Sequence, residues 1–476
     1  MGRKNLVLLS ILVSTVAITS TSQLAFAAHG AEVTPNENGS IGFVAPDQNP
    51  HECWTPEGDA CAIDSGDNAW ILASSALVLI MTPGVAFLYG GLARQKNATN
   101  TIFMVFIIIG IASVQWVLWG YSLAFGPPGD GQHDFVGDFS YMMLNGVSHE
   151  APLGSYEDGD WSTIPHQTFM IFQAMFAIIT PALIVGGLVD RMKFSALVIF
   201  IPIWASFVYD PIAHWVWGGG WLGDLGALDF AGGTVVHITS GWAALAGALI
   251  LGRRLGYGKV PMEAHNVPMI VLGASLLWFG WFGFNAGSQL AADGVAASAF
   301  VVTNTATGMA SVTWMLMSWA HTGKPSLAGA ATGAVAGLVA ITPASGFTGV
   351  MGSLIIGIAA GTVCYGAVVL KNKRKWDDAL DVWGVHGIGG TVGAILTGVL
   401  ANEHIGGTPG GWEGNIPQIG INTIAAAASI AYAFGITLLI LKIMDAIWPG
   451  GIRVTPKEEE IGLDIAQHGE KAYVTA

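Results

Sequence analysis

Eleven apolar blocks dominate this chain, at about 69–92, 98–125, 164–189, 194–217, 230–252, 267–287, 298–320, 326–343, 347–370, 383–401 and 418–444. A helix needs roughly 20 consecutive apolar residues to cross a bilayer, and every block reaches or approaches that length. The spacing predicts an all-α polytopic membrane protein with 11 transmembrane helices. The residues between the blocks cannot dilute that reading, because only 11% of the chain is charged against roughly 25% in ordinary soluble domains. A cytosolic globular enzyme is thereby excluded. With 18 basic against 32 acidic residues and a net charge of −14, no basic surface exists to attract nucleic acid.

Ahead of the first block, Arg3 and Lys4 precede an apolar stretch from Leu6 to Ile18, a Thr-Ser-Thr-Ser patch and a small-residue run ending Phe26-Ala27-Ala28. This is the order of a secretory signal peptide cleaved after Ala27, and the stretch is short for a retained span. The expected domains are therefore a signal peptide (1–27), an extracytoplasmic segment (28–67), a membrane domain (68–446) and a cytoplasmic tail (447–476). The segment 28–67 carries eight acids and no Lys or Arg. In an oxidising compartment its Cys53 and Cys61 could close a disulfide loop, and Asn38-Gly39-Ser40 is a glycosylation acceptor triplet. Cys364, alone in an apolar run, reads as a packed core residue.

Positive charge orients the spans, because Lys- and Arg-bearing loops stay cytoplasmic. Sixteen such residues follow the signal, and all lie in alternate connections or the tail: Arg94, Lys96; Arg191, Lys193; Arg253, Arg254, Lys259; Lys324; Lys371, Lys373, Arg374, Lys375; Lys442, Arg453, Lys457, Lys471. The connections 126–163, 218–229, 288–297, 344–346 and 402–417 have none. The N-terminus is expected outside and the C-terminus inside, in a multi-pass protein of the cell (plasma or inner) membrane. An odd count also permits a five-plus-five inverted repeat with one extra helix. The fifth block carries His237 followed by Gly241 and Ala244, and the tenth carries His386 followed by Gly390 and Gly393. Each half thus sets one His above a small-residue face that admits a neighbouring helix.

An ionisable side chain inside a span is costly, so each marks a candidate site. His237 and His386 lie well inside their blocks, with Asp210 and His214 less deep, Asp190 and Asp381 at cytoplasmic ends and Asp229 at an outer end. Asp229 directly precedes a helical run, where a carboxylate serves as N-cap and dipole partner. His237 falls about 12 Å deeper. A neutral imidazole both donates and accepts, so a desolvated pair can pass protons or hold a small polar solute; a helix-to-helix hydrogen bond is the alternative for either one alone. No third Cys, His or acid accompanies them, so no metal is expected, and no cofactor fingerprint occurs. Among the aromatics, Phe172, Phe176, Trp217, Trp278, Trp281, Phe282 and Phe284 read by default as interface anchors or packing residues. Trp217, next to Gly218-Gly219-Gly220, could also hold a small cation on its face.

Asp229 to His237 (DFAGGTVVH) resembles the signature of the ammonium transporter (Amt) family within the Amt/methylammonium permease/Rh superfamily. Pro211 to Leu222 (PIAHWVWGGGWL), Gly280 to Ser288 (GWFGFNAGS), Gly323 to Ser326 (GKPS), Asp381 to Gly387 (DVWGVHG) and Gly462 to Tyr473 (GLDIAQHGEKAY) match further family motifs in order. The resemblance covers about 69–476; the segment through residue 67 has no counterpart, and Asp210 departs from the neutral or small residue expected there. The resemblance implies a homotrimer with one pore per subunit. In that pore Trp217 and Ser288, assisted by Phe176, would recruit ammonium; Phe176 and Phe284 would gate; Trp281 would line; His237 and His386 would form the pore pair; and Asp229 would be the acid required at the helix start. The tail residues Asp464 to Glu470 resemble a regulatory C-terminus that packs on the cytoplasmic face, a face that a PII-type signalling protein blocks in bacterial relatives. Lys457 to Glu460 read as a solvated charge cluster.

Ammonium shares the size and charge of K⁺ but can lose a proton. An apolar pore behind two Phe rings makes bare-ion passage very costly, so the expected mechanism deprotonates NH₄⁺ and moves NH₃ along the pore and H⁺ through the His pair. Passage of NH₃ alone would make a gas channel. Three rivals have their own marks: a sensor with little flux would signal through the tail, a membrane enzyme would use the His pair as metal ligands, and a water or urea channel would not need the Trp217, Phe176 and Phe284 set.

Overall fold

In the bilayer a backbone must satisfy its own polar groups, and long helices do so within one segment. The computed structural model describes residues 63–127, 135–152 and 162–473; the signal-peptide segment, Asn38, Cys53 and Cys61 lie outside them. Among the described residues, eleven helices are long and apolar enough to span: α1 Ser65–Leu92, α2 Gln95–Phe125, α3 His166–Leu188, α4 Phe194–Asp224, α5 Gly233–Leu251, α6 Val267–Gln289, α7 Gly294–Thr322, α8 Leu327–Ala344, α9 Val350–Arg374, α10 Trp383–Leu400 and α11 Ile416–Ile447. Among the described residues there is no strand, only the isolated bridges Pro152 to Pro165 and Met192 to Arg453. The expected all-α fold with eleven spans is what the chain adopts.

Side-chain oxygens start several of these helices by accepting from otherwise unpaired first-turn N–H groups. Asp64 caps α1 through Gly66 and Asp67 at 2.8 and 2.9 Å, Asn266 caps α6, Asp293 caps α7 and Ser326 caps α8. The first helix therefore takes in Ser65, Gly66 and Asp67, which the composition had grouped with the acidic segment. Helix α3 is the most enclosed, with 94% of its most apolar window buried, against 39% for α2, α7, α9 and α11, which form the periphery.

Helices α1 and α6, the first of each five-helix half, lie against each other on a glycine face. A Cβ on Gly273 would come within 2.3 Å of the Leu88 backbone nitrogen, and one on Gly280 within 2.4 Å of the Leu77 carbonyl oxygen. Helices α5 and α10, the last of each half, cross as closely: a Cβ on Gly241 would meet the Gly387 nitrogen at 2.0 Å, and one on Gly390 would meet the Gly233 carbonyl oxygen at 2.8 Å. Small residues let these backbones approach, and the crossing carries both buried histidines. Each of these two helices also opens on a π-helical segment, Gly233–Ile238 and Trp383–Gly387, and each segment contains its histidine.

Candidate functional site

The entry into α5 is built by Asp229. Its Oδ1 accepts from the backbone N–H groups of Gly232 and Gly233 (2.9 and 2.7 Å) and its Oδ2 from those of Thr234 and Val235 (2.7 and 3.1 Å). Gly232 adopts φ +112°, a conformation that disfavours any side chain, and a Cβ there would press on Val236 at 2.7 Å. Four donors at a helix start, all turned onto one buried carboxylate, set the first turn of α5 and with it the position of His237.

Six of the residues singled out by sequence form one column. Trp217, at the end of the regular part of α4, points its indole N–H to the Asp229 carbonyl oxygen at 2.8 Å. Its ring meets Phe176 of α3 at 5.9 Å, nearly perpendicular. Phe176 packs on Phe284 of α6 at 4.4 Å, and Phe284 lies 5.9 Å from His237 and 5.1 Å from Trp281. Trp281 stacks on His237 at 5.2 Å and is held by an indole N–H bond to Thr342 Oγ1 at 2.9 Å. His237 and His386 face each other with their Nδ1 atoms 3.3 Å apart. Trp217 is partly exposed, whereas Phe176, Phe284, Trp281, His237 and His386 are buried. The column is thus partly exposed at the Trp217 end and closed by two Phe rings packed at 4.4 Å and tilted 41° to each other.

Ser288 sits one helical turn beyond Phe284, partly exposed, with its hydroxyl donating to the Phe284 carbonyl oxygen at 2.8 Å. It stands at the open end without joining the aromatic stack. Asp229 is beside the column rather than in it, its two oxygens turned to backbone. Asp210 is buried in α4, accepting from Gln115 of α2 at 2.7 Å, and Cys364 is buried in α9.

The chemistry of the column follows from its donors and acceptors. One Nδ1 must donate and the other accept, so the pair holds one shared proton in two complementary tautomers. His237 Nε2 is buried with no hydrogen-bond partner among the described residues. Buried apolar rings leading to an unsatisfied ring nitrogen suit a small neutral solute that can hydrogen-bond, and they disfavour an ion whose hydration they cannot replace.

At the far end of the bundle the connections rich in Lys and Arg converge. Asp377 takes Arg254 (2.8 Å) and Arg191 (2.7 Å), and Asp190 takes Arg94 (2.7 Å), Arg254 (3.3 Å) and the Asn97 amide. Burial would raise Asp377, but the Arg254 hydrogen bonds and the Arg191 charge hold its pKa below the ordinary carboxylate range. Neighbouring Asp378 goes the other way, pushed by burial to about 6 despite the Lys371 ammonium. The tail docks on this same end. Glu459 is buried and binds the Arg453 guanidinium at 2.8 Å and the Leu255 N–H. The solvated cluster expected at Lys457 to Glu460 is corrected here: Glu459 is an anchor, because two donors make its burial tolerable. Asp464 accepts from Thr99 and Asn100 N–H at 3.2 and 2.7 Å, at the start of α2.

Sequence reading missed Thr342, which orients Trp281, and the partners of Glu459. A Thr ending an apolar block carries no signal until α8 is known to pack beside the column. For the charged residues the signal existed, since all of them flank the basic connections, but it was read only for orientation.

Residues 69–473 match the profile of the Ammonium Transporter Family. The chain belongs to the ammonium transporter family. It is 46% identical over 411 residues to ammonium transporter Amt1 of Archaeoglobus fulgidus, covering 86% of this chain and 100% of that one. It is 49% identical over 414 residues to an ammonium transporter of Aquifex aeolicus, covering 86% and 94%. Among solved structures, Mep2 of Saccharomyces cerevisiae superposes with a TM-score of 0.79 at 36% identity, covering 86% of this chain and 92% of that one. For this family member the matched span takes in all the column residues and the docked tail, and starts beyond Cys53 and Cys61.

Proposed function

We propose that the column is an ammonium conduction path in which NH₄⁺ is held at Trp217 and Ser288, gives up its proton near the Phe176–Phe284 gate, and passes as NH₃ along Trp281 and His237. The released H⁺ travels separately through a relay that includes His237 and His386, so that NH₄⁺ divides into NH₃ and H⁺ at the gate and re-forms beyond the pair. The observation that carries this reading is the pair of closely packed, buried Phe rings closing the column next to two histidines whose Nδ1 atoms are 3.3 Å apart. A hydrated cation cannot pass those rings without shedding water, and the pair beyond them offers no compensating negative charge. Trp217 supplies a ring face for a cation on the partly exposed side. Asp229 acts as the cap that positions His237.

The open Trp217 end faces outward in this proposal and the tail end faces the cytoplasm, in keeping with the confinement of Lys and Arg to the connections on the tail side. The working form is a homotrimer in the cell membrane, its N-terminal signal peptide removed, and the tail face is where a PII-type signalling protein would act. The test is a current recorded from liposomes holding the purified protein after an ammonium pulse, beside a His237→Ala, His386→Ala double variant. A current that needs ammonium, is absent with Na⁺, and loses size or selectivity in the variant upholds the relay. Internal alkalinisation without current would replace it with electroneutral NH₃ passage, and neither signal would point to a sensor.

A further inference from the structure

The connection between α4 and α5 carries the Asp229 carbonyl oxygen that holds the Trp217 indole at 2.8 Å, and that connection is itself tied to a third helix. Two amide side chains of α11, about one helical turn apart, reach it. Gln418 Nε2 donates to the Gly226 carbonyl oxygen at 2.8 Å. Asn422 grips Leu228 on both sides: Nδ2 donates to the Leu228 carbonyl oxygen at 2.9 Å, and Oδ1 accepts the Leu228 N–H at 3.3 Å. Nδ2 also donates to the Ala394 carbonyl oxygen of α10 at 2.9 Å, and Oδ1 also accepts from Gln418 Nε2 at 2.9 Å. Both donor and both acceptor sites of the carboxamide are therefore spent, in a side chain only 1% exposed.

A polar side chain inside a span is costly and marks a task beyond packing. Joining α10 to α11 does not need this one, because the two helices already meet on Gly398, where a Cβ would come within 2.8 Å of the Gln418 carbonyl oxygen. What the amide adds is a fixed peptide between Leu228 and Asp229. On the far side of Asp229 the Phe230 N–H is held by the Pro343 carbonyl oxygen at 3.1 Å, so the turn is tethered before and after the acid. We propose that Asn422 is a positioning residue of the outer recruitment site: by clamping Leu228 it fixes the Asp229 carbonyl oxygen, which sets the Trp217 ring face that receives ammonium. The inference rests on the recruitment of ammonium at Trp217 proposed above. Asn422 acts on the substrate only through Asp229 and Trp217.

The experiment measures initial uptake of radiolabelled methylammonium against its concentration in liposomes, for the full-length protein, Asn422→Ser, Trp217→Phe and the double variant. Uptake is read whether or not charge moves, so the result does not depend on the His relay. A Ser hydroxyl is too short to hold both sides of Leu228, and Phe keeps a ring without the indole N–H. Asn422→Ser is expected to raise the half-saturation concentration about fivefold, the worth of one net hydrogen bond, with the maximal rate within about twofold of the parent. In the Trp217→Phe background the indole no longer reads the Asp229 carbonyl oxygen, and the same substitution should shift half-saturation less than about twofold. A lower maximal rate with half-saturation unchanged marks a purely structural role and overturns the proposal, as does an equal shift in both backgrounds. If Asn422→Ser does not fold, Gln418→Leu, which releases Gly226 and removes one donor from Asn422 Oδ1, is read in the same cycle with an expected shift of about threefold. Trp217→Phe that leaves half-saturation unchanged sinks the recruitment reading and this inference with it; a Trp217→Phe shift without an Asn422→Ser shift sinks the inference alone.

Discussion

Replacing Asp229 separates the two roles an acid can have at this place. Asp229 is 6% exposed, and its carboxylate accepts four backbone N–H bonds of 2.7 to 3.1 Å. Asp229→Ala strands all four donors in a buried site. At ~1–3 kcal/mol for each unsatisfied donor, the sum reaches ~4 kcal/mol at its lower end. Relaxation of a single helix start keeps the expected loss near that end, above the ~1–2 kcal/mol of an ordinary cap. Asp229→Asn retains one accepting oxygen and turns an NH₂ group toward the remaining two donors, so roughly half of the loss is expected. The measurement is equilibrium unfolding in mixed detergent micelles for both variants, paired with ammonium flux in liposomes. If Asp229 is the cap, stability and flux fall together, with Ala worse than Asn, because His237 loses its support before any proton chemistry is touched. If instead Asp229→Asn unfolds like the parent while flux vanishes, Asp229 is a proton-transfer group and the structural argument is wrong.

Three further outcomes follow from the same geometry. Phe284→Ala opens the gate and is expected to lower the ammonium-to-K⁺ current ratio at least about tenfold, while Phe284→Leu, which keeps an apolar plug, is expected to retain most of it; equal ratios in the two would deny the rings their role. Asp378 has its pKa raised to about 6 by burial, so the folded protein holds this proton more tightly than the unfolded chain does. Its contribution to stability is therefore full below about pH 4 and falls as pH rises to about 6, by ~2–3 kcal/mol; the difference between parent and Asp378→Asn unfolding curves across that window should show this slope, and a flat difference would contradict it. Glu459→Ala leaves Arg453 and the Leu255 N–H without their buried acceptor, and faster tryptic release of the tail, with the unfolding midpoint of the membrane domain nearly unchanged, is the expected result.

What the sequence made legible and what it did not divide along a physical line. The spans were legible because a bilayer forces hydrophobicity to be contiguous, so Ser65–Leu92 or Ile416–Ile447 can be read without knowing any neighbour. The paired histidines were legible for the same reason: a titratable group in an apolar block costs energy wherever the block packs. Gly241 and Gly390 pointed to a close crossing, and the structure puts Gly241 against Gly387 and Gly390 against the first turn of α5. Residues whose role depends on a partner far along the chain left no such trace. Thr342 matters because Trp281, 61 positions away, needs an acceptor, and Glu459 is buried because Arg453 and Leu255 converge on it. A charge cluster and a buried anchor have the same one-dimensional pattern, and only the partner decides between them. The same logic explains why the column emerged from motifs while the contacts between the tail and the α1–α2 connection did not. The column's residues are each costly or bulky on their own, whereas Arg94 and Lys96 are ordinary basic residues until the tail folds back and brings the Glu459 carboxylate and the Glu459 and Glu460 carbonyl oxygens to them.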